Sequence, residues 1–453
     1  MNRDKLDFGN EKIGKLFRAM FFPTLIGMVF NSVLNICDGM FVGHGVGSNG
    51  LAAINIVAPL FLICTGIGLM FGIGASVIGG IRLAENNVKA ARIIMTQAYI
   101  AGGIIFGAVI LCSLLFTRPL LYTLGCSPLL EELATDYLLW LLPGLVFFYL
   151  QCAGMMLIRL DGSPRYAMSV QIVAAILNIF LDWLFVFPLG MGIKGASIAT
   201  SLSCIVGGLM VVCYFIFLSD KLKFYRLRLT MKSLRLSLRN IGYMAKLGMA
   251  TFIAELAIGV MMVTGNYMFL SYLGEAGVAA YSVGCYLFPL IFSVSNAVAQ
   301  ASQPIISYNY GLENRERVRQ TLRTAIIYSC VCGMAITLTM WIGARILTGI
   351  FLDTTEKAYT LASDGLPILG LCALPFALNI TFIGYYQSCE RAARSIFYMI
   401  LRGIIFMVPG FILLPRIAGD AGLWLAIPAS ELLTLGVITI LYIYALRKRL
   451  RSA

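Results

Sequence analysis

The sequence predicts an all-α integral membrane protein whose twelve transmembrane helices form two pseudo-symmetric six-helix lobes. Hydrophobic residues make up 60% of the 453 residues and charged residues 12%, about half the charged share of a soluble domain. Apolar stretches of roughly 20 residues, the length of a membrane-spanning helix, recur along the whole chain. The second half also repeats patterns of the first, which is typical of secondary transporters.

Each of the twelve spans, numbered in chain order, is predicted from one apolar stretch. These stretches are too long, and alternate too little, for the strands of an outer-membrane barrel. The spans cover residues 16–42, 53–80, 92–116, 133–157, 166–187, 194–217, 242–272, 277–305, 321–350, 365–388, 396–414 and 421–446.

An internal duplication relates spans 1–6 to spans 7–12. The pattern GSNGLAA at 47–53 recurs as GEAGVAA at 274–280, an offset of 227 residues. The same offset relates AENNVKAAR at 84–92 to GLENRERVR at 311–319. Two related halves can rock about a shared central cavity, which alternating access requires.

Span 1 combines a proline with a polar face. Pro23 frees a backbone carbonyl inside the helix, so we expect either a static kink or a hinge. Asn31, Asn35 and Asp38 are spaced at i, i+4 and i+7, so they lie on one helical face. An aspartate within a span is costly, and it therefore indicates a functional site.

Spans 5 and 6 carry matching polar groups. Asn178 and Asp182 are four residues apart on span 5, and Ser197 and Thr200 share a face of span 6. Each polar residue by itself could simply hydrogen-bond two helices together. If these faces meet that of Asp38, they form an oxygen-only site. Such a site suits Na⁺ or a carboxylate that binds a proton.

Residues 218–246 form the longest loop between spans and join the two halves. The segment 221–240 is basic and amphipathic, so we expect an interfacial helix on the anionic inner leaflet. The lobe boundary is placed here, which gives lobes of residues 1–230 and 231–453.

The second half contains two further embedded carboxylates. Glu255 on span 7 predicts a possible second cation or substrate site, with Asn379 and Gln387 as polar neighbours. Glu431 lies on the last span, where we favour a structural or interfacial role. Neither acid has an acidic counterpart at the 227-residue offset, so the halves have diverged in chemistry.

A substrate cavity is expected between the halves, although its lining is less specifically indicated. The candidate lining residues are Asn31, Asn35, Ser197, Tyr281 and Gln300. The chain also contains 21 Met, 28 Phe and 21 Tyr residues, whose soft, adaptable side chains suit promiscuous apolar binding but also occur as ordinary lipid-facing residues.

The charge distribution predicts the orientation. With both termini in the cytoplasm, 29 of the 34 Lys and Arg residues fall on the cytoplasmic side. We therefore expect a multi-pass protein of the cell (inner) membrane. The net charge of +13 is a topology signal, and no exposed domain offers a nucleic-acid groove.

Catalytic signatures are absent from the sequence. It shows no phosphate-binding loop, nucleophile elbow, haem ligand set or zinc motif, so neither enzyme activity nor a cofactor is expected. Energy for transport must then come from an ion gradient. A flippase for lipid-linked saccharides is the alternative. It ranks second because a pyrophosphate head group needs cationic residues in the cavity. The predicted spans contain essentially no Lys or Arg except at their edges, and Arg402 is interpreted as such an edge position.

Three motifs resemble the multidrug and toxic compound extrusion (MATE) family. They are CDGMFVGHGVGSNGLAA at 37–53, RLDGSPR at 159–165 and LNIFLDWLFVFPLGMGIKGASIAT at 177–200. The resemblance extends over the whole chain. It implies a V-shaped pair of six-helix lobes that exports amphipathic cations in exchange for Na⁺ or H⁺. We expect the protein to act as a monomer in the lipid bilayer.

Within that family, the chain is most similar to a prokaryotic branch with a cation site in its N-terminal lobe. The motif residues of that site match Asp38, Asn178, Asp182 and Thr200, and the kink proline matches Pro23. Another branch pairs a span 7 glutamate with a span 10 aspartate. Glu255 resembles that span 7 glutamate. Span 10 of this chain contains no matching aspartate, because its one carboxylate, Asp364, lies at the outer edge of the span.

Overall fold

The computed structural model describes residues 6–124, 126–227 and 230–451, apart from the side chains at 35, 48, 51 and 445–451. In this part of the chain the secondary structure is helical, without strands. The helices are α1 Ile13–Gly45, α2 Ser48–Ala84, α3 Val88–Leu115, α4 Thr117–Thr123, α5 Glu131–Leu160, α6 Pro164–Val186, α7 Gly192–Cys213, α8 Met231–Gly311, α9 Arg315–Ile342, α10 Ala344–Gly349, α11 Lys357–Gly370, α12 Ala373–Ser388, α13 Ala392–Ile400, α14 Met407–Ala418 and α15 Asp420–Arg451.

The helices do not correspond one to one with membrane spans, because one helix must be divided and two pairs of helices must be joined. α8 is two helices that meet at Gly274, whose φ of 67° and ψ of −158° are not helical. α11 and α12 form one span bent by 43°, and a π-helical turn at Leu401–Ile405 leads from α13 towards α14. The described residues then contain twelve spans, as predicted. Helices are required because lipid offers no hydrogen bonds to the backbone.

The duplication is also visible in the backbone. A positive φ is rare in residues other than glycine, so its recurrence at a fixed spacing is informative. Three pairs with positive φ are separated by 227 residues: Gly47 (88°) with Gly274 (67°), Asn86 (58°) with Glu313 (57°), and Gly192 (57°) with Gly419 (57°). Turns and helix starts therefore repeat together with the sequence.

The first of two compact units contains the described parts of Met1–Glu255 together with Pro304–Val318. In this unit α5 packs along α2 and α7, and α1 packs along α6. Gly72 allows α2 to approach the backbone of Ala153, since a Cβ would lie 2.8 Å from its Cα. Small residues at such crossings let helices in lipid gain close packing.

The second unit contains Leu256–Gln303 and the described part of Arg319–Ala453, and its α15 packs against α11, α12 and α14. These units are defined by which residues pack together in space, whereas the predicted boundary near residue 230 divides the chain at the internal repeat. The boundary stays a prediction.

The connection between the halves differs from the predicted interfacial helix. Residues 219–227 are not helical, residues 228–229 lie outside the described part, and a helix begins only at Met231. Hydrogen bonds to α3 account for this non-helical stretch. Arg92 Nε donates to Lys221 O at 2.7 Å, and the Tyr225 N–H donates to Thr96 Oγ1 at 3.0 Å. These specific bonds outweigh the amphipathic pattern of the segment.

Within the first unit, the segment before α1 is attached to residues near the end of α8. Arg317 donates to the carbonyl oxygens of Phe8 at 3.0 Å and Glu11 at 2.8 Å, and its Nε donates to Asn309 Oδ1 at 2.9 Å. The Asn309 amide in turn donates to Phe8 O at 2.9 Å. One guanidinium therefore fixes the segment at several points.

Candidate cation-binding site

The four residues predicted to form a cation site lie on three helices of the first unit. Asp38 is on α1, Asn178 and Asp182 are on α6, and Thr200 is on α7. α6 packs against both α1 and α7, so the three polar faces are brought together. Asn178 and Asp182 are buried, and the exposed fraction of Asp182 is 0%.

The side chains of this group contact one another directly. The Asp38 and Asp182 carboxyl groups are within hydrogen-bonding distance. The Asn178 amide donates to Thr200 Oγ1 at 3.3 Å. With the amide turned over, its nitrogen donates to Asp182 Oδ2 at 3.1 Å and its oxygen accepts from the Thr200 N–H at 3.2 Å. Either orientation links α6 to α7 beside the carboxyl pair.

The carboxyl pair has unused hydrogen-bonding capacity. Oδ1 of Asp38 and Oδ1 of Asp182 are buried, and neither has a hydrogen-bond partner among the described residues. Ionising both of two carboxyl groups in contact is unfavourable unless a positive charge is added. A shared proton or a Na⁺ ion would supply that charge, and every side-chain ligand available in this group is an oxygen.

α1 runs through Pro23 without a break in its helical assignment. The next residue, Thr24, donates its hydroxyl to the carbonyl of Met20 at 2.8 Å. A proline removes one backbone bond and leaves this turn weaker than its neighbours. The hinge role of Pro23 stays a prediction.

The polar neighbours predicted in this half take different positions. Asn31 is exposed, and the side chain of Asn35 lies outside the described residues. Ser197 is buried and donates its hydroxyl to the carbonyl of Tyr137, which ties α7 to α5. The prediction that Asn31, Asn35 and Ser197 line a cavity is untested.

Two polar residues of the first unit were missed in the sequence: Tyr137, beside the carboxyl pair, and Gln171, which precedes Asp182 by about three helical turns. Tyr137 of α5 interacts electrostatically with both Asp38 and Asp182. Gln171 of α6 packs on Gly27 of α1, and its buried Oε1 has no hydrogen-bond partner among the described residues. Gln171 precedes Asn178 by seven residues, so helical spacing could have revealed it. Tyr137 carried no such signal.

The residues of the predicted second site lie in different units. Glu255 belongs to the first unit and is 5% exposed. Asn379 and Gln387 are buried on α12 in the second unit. The Asn379 amide donates to Glu431, at 2.8 Å to both its backbone O and its Oε2. A site that joins Glu255 with Asn379 and Gln387 stays a prediction.

In the second unit, the predicted lining residues are buried in the structure. Tyr281 donates its hydroxyl to Met261 O at 3.1 Å and stacks on Phe269, with ring centroids 4.5 Å apart. Gln300 is also buried. Their predicted place in a cavity is untested.

The interpretation of Arg402 as an edge residue is wrong. Arg402 lies within the continuous run Ala392–Ala418, where it is buried and paired with Glu431. Counting charges by neighbouring loops placed it at an edge, because the sequence does not show its partner on another helix.

Comparison with known proteins gives a consistent assignment. The family model MatE matches residues 23–184 and 249–412. A FAD transporter of Shewanella oneidensis is 25% identical over 436 residues, which are 95% of this chain and 94% of that protein. The multidrug export protein MepA of Staphylococcus aureus is 24% identical over 441 residues, with 96% and 95% covered.

Solved structures agree in fold. An outward-facing multidrug resistance MATE family transporter of the MOP superfamily has a TM-score of 0.90 at 20% identity, covering 99% of this chain and all of that one. The Vibrio cholerae MATE transporter VcmN has a TM-score of 0.88 at 21% identity, with 96% and 97% covered. The predicted class, twelve helices in two six-helix lobes, is confirmed by this agreement.

Proposed function

Because this chain belongs to the MatE family of transporters, we propose that it is a secondary active antiporter. It exports amphipathic cations in exchange for Na⁺ or H⁺, and Asp38 and Asp182 bind the coupling ion. The observation that carries the proposal is the contact between these two carboxyl groups, each with one buried oxygen that has no hydrogen-bond partner in the described part of the chain.

The proposed cycle follows from the charge of this pair. A Na⁺ ion or proton that enters from outside offsets one of the two negative charges, removes the repulsion between the carboxyl groups and draws α1 and α6 together at Asp38 and Asp182. α1 then repacks around Pro23, where its backbone ladder is weakest, and the substrate is expelled. Release of the ion to the inside restores the negative charge, and the site can again accept a cationic compound.

The substrate class is inferred from the balance of buried charge. The carboxyl pair in the first unit favours cations. In contrast, Arg402 in the second unit is already paired with Glu431 and so has little charge to offer a phosphate group. The names of the relatives include both multidrug export and FAD transport. Excess FAD should therefore fail to compete with a cationic dye, and the lipid-linked saccharide alternative is not favoured.

The membrane environment is part of the proposal. The twelve apolar spans make this a multi-pass membrane protein. We place it in the cell membrane with both termini in the cytoplasm, because 28 of the 34 Lys and Arg residues then lie on the cytoplasmic side once Arg402, which is buried within a span, is left out of the count. Each chain is proposed to work as a monomer without a cofactor.

The decisive experiment uses the purified full chain in liposomes loaded with a fluorescent cationic dye. A Na⁺ gradient and a pH gradient are imposed separately on the wild type and on Asp38→Asn. Dye movement with one gradient, lost in Asp38→Asn, is expected and would name the ion. The matched control is Asp364→Asn, the same change at an exposed aspartate of α11. Wild-type transport by Asp38→Asn would refute the proposal.

A further inference from the structure

The second unit contains a buried ion pair between neighbouring helices. Arg402 lies in the π-helical turn between α13 and α14, and Glu431 lies on α15. Arg402 Nη2 donates to Glu431 Oε1 at 2.6 Å, and Arg402 Nε donates to Oε1 at 2.9 Å and Oε2 at 3.2 Å. The exposed fractions are only 6% and 3%, so water does not screen this pair.

Further contacts hold both partners in place. Asn379 of α12 donates to Glu431 Oε2 at 2.8 Å, so both carboxylate oxygens accept hydrogen bonds. The guanidinium of Arg402 lies over the ring of Phe376, 4.2 Å from its centroid. Planar, bidentate pairing of this kind is the strongest arrangement available to an arginine and a carboxylate.

The π-helical turn is part of the same arrangement. In a π-helical turn the backbone N–H of residue i+5 donates to the carbonyl of residue i, and here the Phe406 N–H donates to Leu401 O. The carbonyl of Arg402 accepts instead from the hydroxyl of Ser430, at 2.6 Å. Both the backbone and the side chain of Arg402 are thus bound to two consecutive residues of α15.

The repeat makes the comparison between the halves direct. At the 227-residue offset, Arg402 and Glu431 correspond to Ala175 on α6 and Cys204 on α7. These two helices carry part of the candidate cation site of the first unit, where Asp38 and Asp182 contact each other and, among the described residues, no arginine or lysine pairs with either. One half therefore holds carboxylates that need an added cation, and the other holds a carboxylate with a cation of its own.

We propose that Arg402 is the fixed counter-ion of Glu431 and takes the place that a coupling ion would fill there. Glu431 then binds no exchangeable cation, and its helices stay locked together whatever the ion gradient. This inference rests on the proposed function only in assigning ion uptake to Asp38 and Asp182. The role of Arg402 can be tested without that assignment.

The test measures cation binding to the purified full chain in nanodiscs, using radioactive Na⁺ and, separately, proton uptake. The background is Asp38→Asn with Asp182→Asn, which silences the proposed site. Adding Arg402→Met should create one new site for Na⁺ or H⁺ per chain. Adding Glu431→Gln to that variant should abolish the new site, and Arg402→Lys, which keeps the charge, should not create it.

Two outcomes would overturn the inference. One is that Arg402→Met gains no cation that depends on Glu431. The other is that the double variant Arg402→Met with Glu431→Leu, made in the wild-type chain, binds fewer cations than the wild type. This double variant has no unpaired buried charge, so it keeps the inference testable if Arg402→Met alone fails to fold. If Asp38→Asn changes nothing while the Arg402 results hold, the proposed function fails and this inference stands.

Discussion

The replacement Asp38→Asn is expected to abolish export and yet to stabilise the protein when no cation is bound. In the wild type, the carboxyl groups of Asp38 and Asp182 are in contact, and each has a buried oxygen to which no described residue hydrogen-bonds. Without Na⁺ and at alkaline pH, two negative charges face each other there. An asparagine at position 38 removes one charge and can donate its amide hydrogens to Asp182.

The expected gain can be estimated from Coulomb's law. Two unit charges about 4 Å apart interact by about 4 kcal/mol at an effective dielectric constant of about 20. This is an upper estimate, because the wild type can relieve the repulsion by relaxing or by binding a proton. Conversely, a cation that binds only the folded wild type stabilises it by about 2.7 kcal/mol at a hundred times its dissociation constant.

The assay is thermal unfolding of purified protein, followed by intrinsic fluorescence. In Na⁺-free alkaline buffer, Asp38→Asn should unfold at a higher temperature than the wild type. Added Na⁺, or acidification if H⁺ is the coupling ion, should raise the wild-type midpoint and leave that of Asp38→Asn nearly unchanged. Asp364→Asn should behave as the wild type. A lower midpoint for Asp38→Asn in the cation-free buffer would refute the reasoning.

Three further predictions concern packing, attachment and movement. Gly102→Ala should lower the free energy of unfolding by about 1–3 kcal/mol, because the new Cβ would lie 1.9 Å from the ring of Tyr149. In the control Gly103→Ala the new Cβ meets nothing within 4 Å, so this variant should not be destabilised. Thermal unfolding midpoints of the two variants measure the difference. Arg317→Ala should speed amide hydrogen exchange over residues 7–12, because it removes the hydrogen bonds that hold the segment before α1. Each of these charged hydrogen bonds is worth about 1.5–3 kcal/mol. Unchanged exchange would contradict this prediction. Pro23→Ala should slow dye export and keep the cation-dependent rise in midpoint, because it strengthens α1 without touching the carboxyl pair; full export would exclude the hinge.

The spans were predictable because lipid imposes a simple rule on sequence. A helix must present about 20 apolar residues to cross the bilayer, and each predicted stretch coincides with one helix of the structure or with consecutive helices. The rule does not cover segments at the membrane surface. Residues 221–240 have the pattern of an amphipathic helix, but residues 221–227 are not helical, and hydrogen bonds from Arg92 and to Thr96 hold them against α3.

The candidate site was predictable in part. Asp38, Asn178, Asp182 and Thr200 stand out because polar groups are rare in spans and because helical spacing aligns those on one helix. Their common location, and the contact between the two carboxyl groups, come from the packing of α1 and α7 on α6. Tyr137 could not be recognised, since tyrosine is common in spans and nothing along α5 marks it.

The sequence by itself determined the fold class and the duplication, because these depend on local hydrophobicity and spacing. Only the tertiary structure decided which buried charges are compensated. Arg402 and Glu431 are 29 residues apart and on different helices, and no local pattern joins them. Charge energies in a low-dielectric interior depend on distances of a few ångströms in space. The chain order alone does not contain those distances.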